Sequence, residues 1–146
     1  AVMQRAPIDL AMFYDALPTR RFCGLFKFPS EATTPMYEVF LYYNELRTLG
    51  MSVESAVDAD GVYVLAAKNA AGGKAILVSR TYPPQALEKA APKVALNFDL
   101  KGADLKDFRL RRLDASHKRT YDATFDPAKG IDINSHGVVF LETKVK

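Results

Sequence analysis

The sequence predicts a mainly β protein, an antiparallel β-sandwich preceded by a segment of strands and one helix. Three observations carry that expectation. Up to Gly50 the apolar residues run continuously or at helical spacing, whereas from Ser52 onward they alternate with period two. The alternating runs are short, and turn residues separate them at spacings of about 8–12 residues, as in sandwiches. Gly50 marks the change, at the place where a helix ends in a left-handed residue. The chain divides accordingly into 1–50 and 51–146.

The elements follow in order. Ile8 to Tyr14 is almost continuously apolar, as in a strand buried on both faces, and Pro18 with Thr19-Arg20-Arg21 ends it. Phe22 to Phe26 is a second short apolar run, in which Gly24 signals a bulge or close backbone approach. After a loop over Pro29 to Thr33, Thr34 is a suitable N-cap and Pro35 suits the first helical position. The helix runs from Pro35 to Leu49. Met36, Val39, Phe40, Tyr43 and Leu46 form one stripe, and Tyr37, Leu41 and Tyr42 widen it past half the circumference. A helix so apolar needs cover on more than one side.

Beyond Gly50, Val62 to Lys68 and Lys74 to Tyr82 are strands joined by a hairpin loop over Asn69 to Gly73. Pro83-Pro84 breaks the chain, and Gln85 to Ala91 is a loop or a single helical turn. Val94 to Leu100 alternates as a half-buried strand. Phe108 and Leu110 alternate with Arg109 and Arg111, which reads as a strand with one wet face. Arg112-Leu113 interrupts the alternation and suggests a bulge. Arg119 to Phe125 is a weaker strand. Ile131 and Ile133 lead into a turn at Asn134 to Gly137, and Val138 to Val145 is the last strand.

Composition sets bounds on function. A chain of 146 residues with 49% hydrophobic and 25% charged residues is an ordinary globular domain. Its net charge of +3 is mild and dispersed, which argues against nucleic acid or a membrane surface as partner. The single cysteine, Cys23, excludes an internal disulfide and reads as a buried inert thiol. No apolar run spans a bilayer, and no leader is visible at the start. His117 and His136 lack clustered ligands at metal spacing, so no metal or cofactor is expected. Asp58 to Gly61 opens like a calcium loop but has Asn69 where that loop needs Glu, and reads as a turn. A basic β domain for nucleic acid, drawing on Lys106 to Arg112, is the third and weakest reading.

The order Met12-Phe13-Tyr14-Asp15-Ala16-Leu17-Pro18, Cys23-Gly24-Leu25-Phe26, Tyr37 to Phe40, Tyr43-Asn44-Glu45-Leu46 and Leu49-Gly50 resembles the end of certain glycoside hydrolases. These are the retaining (β/α)8-barrel enzymes of clan A, notably the β-xylosidase and arabinofuranosidase-like groups around family 39. The motifs cover about the first third of the chain, and the rest matches by architecture alone. The resemblance implies that residues 1–50 are the last βα unit of such a barrel. Residues 51–146 would be the accessory β-sandwich behind it. Tyr14, Asp15 and Phe22 are then candidate substrate-binding residues at strand ends. Asp15 also reads as turn chemistry, and Phe22-Cys23 stands where such enzymes often carry Trp or Asn.

Retaining hydrolysis needs two carboxyl groups about 5–5.5 Å apart. In the family these sit at the ends of the fourth and seventh barrel strands, upstream of Ala1, so no catalytic residue is assigned here. Two function classes follow: a non-catalytic sandwich that braces a catalytic barrel, or a carbohydrate-binding module that holds polysaccharide through exposed tyrosines. Tyrosines buried between helix and sheet favour the first, and coplanar exposed ones the second. The partners implied are the parent's barrel, polysaccharide, or a second copy paired through 1–50. The compartment stays open, a secreted or periplasmic parent being what the resemblance suggests. Without a barrel, the opening segment is expected to fold back on the sandwich or to pair two chains.

Overall fold

The computed structural model describes residues 24–81, 92–114, 122 and 125–143. One helix, α1 (Pro35–Thr48), is followed by β1 (Met51–Val53), β2 (Val62–Lys68), β3 (Lys74–Arg80), β4 (Val94–Leu96), β5 (Phe108–Leu113), β6 (Ile131–Ile133) and β7 (Val138–Thr143). The fold is mainly β. All strand pairs are antiparallel, in a five-stranded sheet of order β1-β2-β3-β7-β5 and a two-stranded sheet of β4 and β6. Ile8 to Tyr14, Gln85 to Ala91 and most of Arg119 to Phe125 lie outside the described residues.

Each face of the large sheet carries its own apolar cluster. On one face, Tyr42 and Leu46 of α1 pack with Ala67, Ala75, Leu77, Leu113, Val138 and Phe140. On the other, Leu96, Ile131 and Ile133 of the small sheet pack with strand residues that include Ile76, Val78, Phe108, Leu110 and Leu141. The unbroken apolar runs Ala75–Val78 and Val138–Leu141 are thereby explained. β3 and β7 are central strands covered on both sides. The layers are thus helix, five-stranded sheet and small sheet. No second sheet of comparable size is present among the described residues.

The local signals mostly act where the sequence places them. Gly50 has φ 88° and its N–H donates to the Arg47 carbonyl at 3.1 Å, a left-handed stop that a side chain would strain. Thr34 occupies the N-cap, but its hydroxyl makes no cap and donates instead to the Gly24 carbonyl at 2.8 Å. Gly24 is buried, and the close approach expected there is this hydroxyl contact. Phe26 makes only an isolated bridge to Thr33, so the described part of the Phe22–Phe26 run is a turned loop, not a strand. In the β2–β3 hairpin, the Asn69 side-chain carbonyl accepts from the Gly73 N–H at 2.8 Å and closes the loop.

Two expectations in the second half need correction. β5 carries no bulge: its register against β7 runs unbroken from Phe108↔Thr143 to Leu113↔Val138. The alternation breaks because both faces are covered, so Leu113 points to the helix layer while Phe108 and Leu110 point to the small sheet. Second, only Val94–Leu96 of the Val94–Leu100 run is strand. β4 finds partners only along the three residues of β6, and Phe98 and Leu100 pack on the core without pairing.

Candidate functional site

The sequence candidates Tyr14, Asp15 and Phe22 lie outside the described residues, as do Cys23 and His117. The tyrosines that are described do not form a platform. Tyr42 is fully buried, its ring 5.2 Å from Phe140 and nearly parallel to it, while Tyr37, Tyr43 and Tyr63 are half-buried. His136 sits at positive φ in the turn before β7, and Asp58 to Gly61 is a turn entering β2. Among the described residues no three His, Cys, Asp or Glu side chains are grouped to hold a metal. No described helix is long and apolar enough to cross a membrane.

Two features bring chemistry-bearing groups together. The first is a charged cluster between α1 and the sheet. Arg111 on β5 was expected on a wet face but is buried, because α1 lies over it. Its guanidinium carbon stands 4.7 Å from the Tyr42 ring centre and 4.8 Å from that of Phe140. The same Nη2 meets Glu45 of α1 and, at 2.8 Å, Glu142 of β7. Arg109 adds a contact to Glu142 at 3.5 Å. Two carboxylates converge here, but on Arg111, and with Arg109 the two cations balance both of them. That arrangement serves as a clamp, not as an acid/base pair with room for a scissile bond. Its helix arm was invisible in sequence, since Glu45 and Arg111 are 66 positions apart.

The second feature is an open cleft of about 690 Å³ beside the edge of the large sheet. It is lined by Tyr43, Leu46 and Arg47 of α1, by the continuous run 50–56, and by Leu65 to Ala67 of β2. Its volume falls in the range of small-ligand sites, about 300–1,000 Å³. Arg47 is bonded only to its helix neighbour Asn44, at 3.4 Å, and Glu54, which also lines the cleft, makes no ion pair. The cleft therefore carries one positive and one negative group that do not neutralise each other. No nucleophile with an adjacent base lies in it.

No family model matches this chain, and no curated protein or solved structure matches it. The functional reading therefore rests on the residues and their arrangement.

Proposed function

We propose that this chain is the non-catalytic C-terminal β portion of a glycoside hydrolase of the xylosidase or arabinofuranosidase type, and that it braces the catalytic barrel. One observation carries the reading. Helix α1 buries Tyr42 and Leu46 on the sheet, yet Met36 and Leu41 remain 38% and 36% exposed away from it. Such a two-sided apolar helix suits an element held between two bodies. The resemblance of residues 12–50 to the end of a clan A barrel supports a barrel as the body on that outer side.

The burial of Tyr42 against Phe140 also favours bracing over a carbohydrate-binding module, which needs rings open to solvent. The Arg111 clamp fits the same role, because it ties the helix to the sheet and lets the β layers act as one support. The test is the coding sequence immediately upstream of Ala1. An in-frame (β/α)8 barrel with glutamates closing its fourth and seventh strands is expected, and an unrelated domain there contradicts the reading. The chain alone should not turn over aryl-xylosides, and turnover would refute the non-catalytic assignment. Selective retention on a glycan array would transfer the assignment to the binding module.

A further inference from the structure

The two ends of the large sheet are treated differently. At the β5 end, Asp122 donates its N–H to the Leu110 carbonyl at 2.8 Å and places its carboxylate 3.4 Å from Arg112, so that edge is engaged. At the other end, β1 is the terminal strand, and Met51, Ser52 and Val53 pair with β2 alone. A row of unpaired backbone groups is a template for another strand. The usual guards are lysine, proline or a bulge, and Met51-Ser52-Val53 contains none of them. Only its shortness protects it.

We propose that β1 pairs antiparallel with β1 of a second copy of this chain, about a two-fold axis through Ser52. The side chains around the edge are self-complementary under that operation. With Ser52 opposite its own copy, Met51 falls opposite the partner's Val53, which sets two apolar cross-strand pairs beside the axis. Met51 is 42% exposed in the single chain. One residue further out, Gly50 falls opposite the partner's Glu54. Arg47 and Glu54 line the same cleft in one chain without forming an ion pair. The two-fold brings each of them toward the other's counterpart, one ion pair on either side of the axis. This assigns a role to the uncompensated charges that the cleft otherwise leaves unexplained. The operation is closed, so it consumes both free edges and stops at two copies. Three paired residues and two flanking ion pairs make a small interface, at the weak end of specific association. The inference stands apart from the bracing role, since β1 and the outward side of α1 are different surfaces.

Sedimentation equilibrium over a wide concentration range tests it. The intact chain should dimerise reversibly. Glu54→Arg and Arg47→Glu should each weaken the dimer about tenfold, and the double exchange should restore it to within about threefold. A Ser52→Cys chain should form an intermolecular disulfide on mild oxidation, because residues facing across the axis lie within disulfide reach. Comparison with the unsubstituted chain separates this from any link through Cys23. Circular dichroism shows that each variant is folded, which separates lost pairing from lost structure. A monomer up to millimolar concentration overturns the proposal. So does a dimer that is indifferent to both charge reversals, or a double exchange that fails to recover what the single ones lose.

Discussion

Arg111 is the residue on which most depends locally. A buried guanidinium with carboxylates on two elements and two aromatic rings beside it is costly to break on one side, because the remaining charges lose their partner. Glu45 is about a third exposed, so water screens that arm and its share is small. Arg111→Ala should therefore destabilise the chain by about 3 kcal/mol, whereas Glu45→Gln should cost under about 1 kcal/mol. Urea unfolding measures both, and an Arg111→Ala cost as small as that of the glutamine variant would remove the clamp. A second residue sets a pH response. The Lys106 side chain and N–H beside Asp104 hold its carboxyl below the ordinary carboxylate range, and the carboxylate in turn raises the Lys106 ammonium. A carboxyl lowered on folding stabilises above its unfolded value and loses that contribution as pH falls through the folded one. A titration of the Asp104 carboxyl by NMR should thus show a midpoint below that of a free aspartate, and a midpoint at or above it contradicts the contact. The two differ in what the chain reveals: Lys106 and Asp104 are two positions apart, whereas Arg111 meets Glu45 from 66 positions away.

At the scale of elements, what could be read from sequence is what neighbours determine. Helix α1 was legible from Pro35 at its start and Gly50 at its end. The β2–β3 hairpin was legible from two alternating runs about an Asn and Gly loop. β7 was legible as an apolar run after a turn. The face of β5 at Arg111 was not, because that arginine looks solvent-facing until a helix from the other half of the chain covers it. The cleft was invisible for the same reason, being formed where the end of α1 meets β2. Tyr42 is the point where α1 enters the sheet layer, fully buried and stacked on Phe140. Tyr42→Ala should cost about 3–5 kcal/mol, as for other large aromatic truncations in a core. It should also remove most of the near-ultraviolet dichroism that a fixed tyrosine gives a chain without tryptophan. Retention of both stability and signal would mean that α1 is not docked through this ring.

At the scale of the whole molecule, the described residues form an antiparallel sheet with a helix on one face and a small sheet on the other, and the bracing proposal turns on the exposed apolar side chains of that helix. The mild charge of the chain and the neutralised carboxylates of the clamp agree with a role in support. The measurement that tests this most directly places Met36→Glu and Leu41→Glu together in the product of the complete gene and, separately, in this chain alone. The bracing account predicts that the isolated chain keeps its urea midpoint, since both side chains are exposed there, while the complete protein melts several degrees lower and loses glycosidase activity on warming. An unchanged melting temperature in the complete protein, with the two substitutions equally silent in both, would contradict it.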